Sequence, residues 1–266
     1  MARRYAARVR LATWNINSLK VRIDRLREWV DYAAPDVLCL QETKVADDAF
    51  PALTFAEWGY ETVHHGQGQW NGVAIASRLG VTEVVHGFAP GIEPDVDARL
   101  VTATCGDMRV MSVYVPNGRA VGHEQYHYKL VWLDRLHAHL DAVAGPDDPV
   151  VVAGDFNIAP ADRDVYDPAA FVGETHVTDD ERERLVRLHE WGLVDLFRVA
   201  YPDADKVYSW WDYRRGDFHQ GRGMRIDLAL GSRAVAQGVD YALIDRHARK
   251  GKLPSDHAPM LIDLTL

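Results

Sequence analysis

Apolar runs of strand length recur along the chain at short intervals. They fall at residues 8–13, 37–40, 72–77, 81–87, 100–105, 108–115, 150–153, 226–230, 239–244 and 260–264. Such short runs, rich in Val, Ile, Leu and Thr, predict buried or half-buried strands. Helical periodicity appears between them. Leu19, Ile23, Leu26 and Val30 form one stripe, Leu130, Leu133, Leu136 and Leu140 a second, and Leu185, Leu188 and Trp191 a third. Residues so spaced share one face of a helix. Many successive strands have no helix between them and so pair antiparallel, while helices intervene only at intervals. The expected class is therefore α+β rather than a doubly wound parallel sheet. No Pro/Gly/Ser-rich linker divides the chain, so residues 1–266 are read as a single domain, with 1–7 a flexible basic tail.

Four polar clusters end or interrupt the predicted strands. They are Trp14-Asn15-Ile16-Asn17, Gln41-Glu42-Thr43-Lys44, Gly154-Asp155-Phe156-Asn157 and Ser255-Asp256-His257. Side chains at strand ends sit on rigid supports, a favoured place to build a site. Carboxylates, carboxamides and a histidine together suggest metal-assisted attack on a phosphate. Glu42 offers hard oxygen for a divalent cation such as Mg²⁺. No Cys/His set has the spacing of a zinc site. Asp256 and His257 are neighbours, and in extended chain they point to opposite faces. His257 therefore needs a carboxylate from elsewhere, and Asp227, an acid inside an apolar strand, needs a partner. The two are expected to pair. A short internal echo, Thr13-Trp14-Asn15-Ile16 against Asp155-Phe156-Asn157-Ile158, suits two similar halves whose strand ends converge.

Composition narrows the picture little. Of 266 residues, 47% are apolar and 26% charged, an ordinary globular balance. Gly (20) and Pro (12) exclude collagen-like or low-complexity character, and no apolar run reaches membrane-spanning length. Two cysteines, Cys39 and Cys105, are too few for a disulfide framework and read as reduced strand thiols of a cytoplasmic protein. The net charge of −9 is segregated. Residues 1–30 carry eight Lys/Arg against two acids, whereas residues 162–184 carry eight acids against three Arg and read as an acidic surface helix. The basic clusters are compatible with an anionic ligand on one face.

The motifs together resemble the exonuclease III family of AP endonucleases, within the endonuclease/exonuclease/phosphatase superfamily. The resemblance is carried by the four clusters and by Asn71-Gly72-Val73-Ala74, Tyr114-Val115-Pro116-Asn117-Gly118, Tyr208-Ser209-Trp210-Trp211-Asp212-Tyr213-Arg214 and Arg225-Ile226-Asp227. They run in the family's order over residues 8–266. The resemblance implies a four-layer α/β/β/α sandwich of two mixed, mainly antiparallel sheets with pseudo-two-fold halves. It implies Glu42 as principal metal ligand, with Asn15, Asn17 and Asp256 on the metal side. Asp155, helped by Asn157, would orient or deprotonate the attacking water. His257 with Asp227 would stabilise phosphate oxygens, and Tyr114 and Asn117 would contact phosphate. Trp210, Trp211 and Met224 would form a small apolar pocket for an extrahelical abasic sugar. Trp70, Lys44, Arg119 and Lys129 would meet DNA. The implied cofactor is Mg²⁺, with Mn²⁺ a substitute. The implied substrate is double-stranded DNA with abasic sites or blocked 3′ ends, and the implied agent a monomer in a bacterial cytoplasm, associated with the nucleoid. Other readings are a phosphatase acting on a small or lipid phosphate, and a non-catalytic nucleic-acid-binding regulator.

Overall fold

The computed structural model describes residues 8–266, so the expected basic tail of residues 1–7 lies outside the described residues. In chain order, strand β1 (Arg8–Asn15) leads through helix α1 (Leu19–Ala33) to β2 (Val37–Gln41). A short helix α2 (Ala52–Glu57) precedes β3 (Glu61–His65), β4 (Val73–Ser77) and β5 (Thr82–His86). Strands β6 (Leu100–Cys105) and β7 (Met108–Tyr114) lead through helix α3 (Glu124–Val143) to β8 (Val150–Asp155). Helix α4 (Asp179–Trp191) precedes β9 (Leu193–Asp195), β10 (Asp227–Ser232), β11 (Val239–Ile244) and β12 (Met260–Thr265). Every strand expected from the apolar runs is present. β3 and β9 were not expected, since one is the half-polar Glu-Thr-Val-His-His and the other spans three residues.

The strands form two six-stranded sheets, ordered β11-β12-β1-β2-β4-β3 and β5-β6-β7-β8-β10-β9. Each sheet has one parallel pair at its centre, β1 with β2 and β7 with β8. Each parallel pair is joined by a helical crossover, α1 in one sheet and α3 in the other, as parallel strands require. The remaining pairs are antiparallel in both sheets. The halves therefore share one pairing pattern. By that pattern β1 corresponds to β7, not to β8 as the internal echo suggested. The two strand ends do share a turn, but in a register two residues from the echo: Asn15 Oδ1 accepts the Asn17 N–H at 3.0 Å, and Asp155 Oδ1 accepts the Asn157 N–H at 2.9 Å. Both Asn17 (φ 46°) and Asn157 (φ 51°) are left-handed, a conformation that asparagine tolerates.

Strand parity sorts the side chains. Leu11, Val37, Ile75, Val110, Val151 and Ala229 pack between the sheets. Trp14, Leu38 and Ala76 pack outward with Leu26 and Val30 of α1. Met111, Val113 and Val152 pack outward with Leu133, Leu136 and Leu140 of α3 and Leu185 and Leu188 of α4. The result is the expected helix–sheet–sheet–helix layering. Residues Asn15, Gln41, Tyr114, Asp155 and Asp227 have the inward parity but lie at the strand ends. Period-two alternation thus delivers polar side chains to the mouth of the inter-sheet core.

Helix α4 starts on a capping box, with Thr178 Oγ1 accepting the Glu181 N–H and Glu181 reaching back to the Thr178 N–H. The acidic stretch is only partly a solvated face. Asp164 and Glu181 are buried, each bonded to a buried cation.

Candidate active site

Sheet register places the key acids side by side. Tyr114 of β7 is level with Asp155 of β8, and Asp227 of β10 lies directly opposite Asp155 on its other side. Asn15 ends β1 level with Gln41, one residue before Glu42. Asn15 then links the sheets: its Nδ2 donates to Glu42 Oε1 at 2.8 Å and to Asp155 Oδ2 at 3.0 Å. Glu42 Oε2 pairs with Lys44 Nζ at 2.8 Å.

His257 Nδ1 lies 2.8 Å from Asp227 Oδ2, the pairing expected from the sequence. Its Nε2 is 3.7 Å from Asp155 Oδ2. The backbone is held on both sides of the ring. Trp14 Nε1 donates to the His257 carbonyl at 3.2 Å, and the His257 N–H donates to Ser255 Oγ at 3.2 Å. Asp256 points away, accepting from Asn17 Nδ2 at 2.9 Å and from Trp210 Nε1 at 3.1 Å.

Burial alone would lower the basicity of His257, but the charges of Asp227 and Asp155 outweigh it and raise its pKa to about 10. Burial raises Asp155 to about 7, with the neighbouring Asp227 charge adding to the rise and the His257 charge opposing it. Burial, followed by the charge of Glu42, holds the Tyr114 phenol well above its usual range. A proton is thus stored on His257, and Asp155 sits poised near neutrality.

A cavity of about 310 Å³ is lined by Glu42, Tyr114, Asn117, Asp155, Asn157, His176, Trp210, Asp212, Arg214, Met224, Ile226, Asp256 and His257. Asn157 Oδ1 accepts from Asn117 Nδ2 at 3.2 Å, and Asn157 Nδ2 donates to the Val115 carbonyl at 2.9 Å. Trp210 and Met224 are bonded through their backbones, with both N···O distances at 2.9–3.0 Å. Arg214, a basic residue expected to meet phosphates, is among the lining, while three others, His176, Asp212 and Ile226, were not singled out as site residues. His176 lies in an irregular segment where no periodicity marks it. Its Nδ1 faces the Asn157 carbonyl at 2.5 Å, and burial lowers its pKa to about 4, so the ring is neutral.

Two expected DNA contacts are corrected. Lys129 is fully buried and paired with Glu181 at 2.5 Å, so its charge cannot meet a phosphate. Trp211 is fully buried in the inter-sheet core and does not line the cavity. It packs edge-on to Phe218 at 5.1 Å, with the guanidinium of Arg246 over its ring at 5.3 Å. Adjacent residues in extended chain face opposite ways, so only Trp210 reaches the site. Trp70 (64% exposed), Arg119 and Asn117 are on the surface. Lys44 is half-buried, and its Nζ donates to Asn17 Oδ1 at 2.7 Å.

Trp211→Ala should therefore destabilise the fold by about 3–5 kcal/mol, as loss of a fully buried aromatic does. Trp210→Ala should lower the melting temperature much less and act on substrate selection instead. Thermal melts of the two variants check this, and equal losses would place both rings in the core.

Among the described residues, Glu42, Asp155 and His257 form the one acid/histidine group with ligand atoms all within 4.8 Å of one another. The donor chemistry fits a hard divalent cation held by the carboxylates of Glu42 and Asp155. His257 has its Nδ1 taken by Asp227 at 2.8 Å, which turns its Nε2 toward Asp155 and the cavity. As placed, Asn15 turns its NH₂ to both carboxylates while its oxygen is taken by the Asn17 N–H. Asn17 and Asp256 bond each other at the rim. Glu42 is tied both to Asp155 through Asn15 and to Asn17 through Lys44, and Asp256 lines the same cavity.

Residues 12–257 match the profile of the Endonuclease/Exonuclease/phosphatase family. The chain belongs to this family. Among its relatives, exodeoxyribonuclease III of Haemophilus influenzae is 33% identical over 263 residues, covering 95% of this chain and 98% of that protein. An AP endonuclease from Archaeoglobus fulgidus superposes with a TM-score of 0.93 at 34% identity, covering 97% of this chain and all of the other. A 3′ phosphatase from Neisseria, solved with a product DNA hairpin, gives 0.92 at 36% identity, covering 97% and 100% of the two chains. The four-layer family fold expected from the motifs is the fold observed.

Proposed function

We propose that this family member is a magnesium-dependent nuclease of double-stranded DNA. It hydrolyses phosphodiesters at abasic sites and at 3′ ends, acting as AP endonuclease, 3′→5′ exonuclease and 3′-phosphatase. The observation that carries the reading is the lining of one cavity by Glu42, Asp155, Asn157 and an Asp227-paired His257, beside the side chains of Trp210 and Met224. A phosphate, a hydrolytic water and a small apolar sugar fit such a lining.

Glu42 and Asp155 would hold the cation, with Mn²⁺ as a substitute for Mg²⁺. A bound ion neutralises phosphoryl oxygens and stabilises the leaving oxygen. Asn15 holds the two carboxylates in register, and Asn17 and Asp256 frame the metal side. Asp155 orients the attacking water and accepts its proton. The His257 Nε2–H donates to a phosphate oxygen, while Asp227 fixes the ring and its charge. Tyr114, Asn117 and Asn157 contact the phosphate. Trp210 and Met224 receive a base-less sugar, excluding a normal nucleotide by size. Trp70, Arg119 and Lys44 contact the flanking duplex. The protein acts as a monomer in the cytoplasm, on the nucleoid; no helix among the described residues is long and apolar enough to cross a membrane.

The deciding assay uses duplexes with one abasic site or one 3′ phosphate, with Mg²⁺ and with chelator. Metal-dependent cleavage of either supports the reading. Hydrolysis of small phosphate monoesters without cleavage of DNA would overturn it. Affinity should also fall steeply between about 50 and 200 mM salt, because phosphate contacts release counterions. A flat salt profile in a filter-binding titration would show that the basic loops do not meet the backbone.

A further inference from the structure

Lys129 has no counterpart in the roles assigned above. Its ammonium is fully enclosed on α3, and Glu181, its partner at 2.5 Å, is fully enclosed on α4. Exchanging a buried ion pair for neutral groups of similar volume is often neutral or stabilising for a fold. Stability alone therefore does not account for the pair.

The pair joins three separate segments of the cavity wall. Lys129 Nζ donates to the carbonyl of Asn157 at 2.7 Å, after β8, and to that of Asn117 at 3.3 Å, after β7. Glu181 Oε1 accepts the His176 N–H at 2.9 Å and the Thr175 hydroxyl at 2.8 Å. Asn117, Asn157 and His176 all line the cavity. Each segment also contains a left-handed residue: Gly118 (φ 92°), Asn157 (φ 51°) and His176 (φ 80°). Such conformations persist where the surroundings over-determine them. At Gly118 a Cβ would lie 2.8 Å from Thr175 Oγ1 and 3.2 Å from Lys129 Cδ, so the chain passes close to the pair there.

On the nuclease reading above, we propose that Lys129 and Glu181 are positioning residues for phosphodiester cleavage. By pinning the carbonyls of Asn117 and Asn157, the pair sets the two linked carboxamides at the cavity wall. It touches no substrate. Its effect passes through Asn157, and a displacement of about 1 Å in such a group costs on the order of a hundredfold in rate.

The test is the neutral double variant Lys129→Met/Glu181→Gln, which removes both charges and keeps an acceptor for the His176 N–H. On a 3′-phosphate duplex we expect kcat to fall at least about tenfold, KM to stay within about twofold, and melting to hold within a few degrees. In an Asn157→Ala background the same double change should cost less than about twofold, because the group it positions is gone. Amide exchange should accelerate in residues 117–118, 156–158 and 174–178 and stay unchanged within β7 and β8. The neutral Lys129→Gln/Glu181→Gln variant, which likewise leaves no buried charge unpaired, enters the same assays if the first double variant does not fold. Retained kcat, an equal loss in the Asn157→Ala background, or unchanged exchange in those segments would overturn the proposal. A wild-type protein that cleaves no DNA would instead overturn the nuclease reading, and amide exchange would then decide the positioning role without turnover.

Discussion

Glu42→Ala loses metal-dependent cleavage by at least about a thousandfold while the fold survives. The rate follows from the several kcal/mol that a Lewis acid supplies to a phosphoryl transition state, at about 1.4 kcal/mol per decade. Stability behaves differently. Glu42 is half-buried, bonded to Asn15 at 2.8 Å and to Lys44 at 2.8 Å. Such a pair contributes about 1 kcal/mol or less. Removing the acid also relieves repulsion with Asp155, so the melting temperature should stay within a few degrees. Cleavage of an abasic duplex and a thermal melt on the same sample check both halves. Full activity in the purified variant would remove Glu42 from the metal site, and a collapsed melt would make it structural.

The second large effect concerns Asp227 and His257. Asp227→Asn and His257→Asn should each lower kcat by about two to four orders of magnitude, and the double variant should lose little more than the worse single one. Asparagine is chosen because it keeps polar hydrogen-bonding atoms facing the partner where alanine would leave none; either neutral side chain still removes one charge of the buried pair, at a cost of up to about 3–5 kcal/mol. Asp227 is already tightly placed: its Oδ2 meets His257, while its Oδ1 is buried with no hydrogen-bond partner. Additive losses would make Asp227 merely structural. The metal-free protein carries a pH signature as well. A histidine raised from 6.5 to about 10 contributes stability that is fully present below pH 6.5 and is lost as pH rises through about 10. Asp155, raised from 3.8 to about 7, works in the same direction, its contribution falling as pH rises from 3.8 through 7. Urea unfolding across pH 6–10 should show a declining stability, and His257→Asn should flatten the upper part of the decline.

Much of this was readable before any coordinates. β6 and β11 were marked to the residue by apolar runs that begin and end at turns. The Asp227–His257 pair was readable because an acid in an apolar strand must find a cation, and because the neighbour of His257 points the wrong way. Lys129 and Trp211 were misplaced for a common reason. Composition shows that a lysine is charged and a tryptophan large, but not which face of its element is enclosed. Lys129 depends on Glu181, 52 residues away on another helix, and no local pattern connects them. His176 was invisible because it belongs to a turn fixed by tertiary bonds alone. The acidic run was misread in part because two of its acids are consumed by Lys129 and Arg225 inside the protein.

The hydrogen bonds from Asn15 to both carboxylates have a wider consequence. Glu42 follows a strand of one sheet and Asp155 ends a strand of the other, so neither half of the molecule owns a complete centre. The spacing between the two acids is then set by how the sheets seat on each other. Cys39, Ala153 and Val110 fill that seam. One methylene added or removed there, far from any phosphate, works as a shim between the two halves of the catalytic machine and retunes its rate without touching a reacting group.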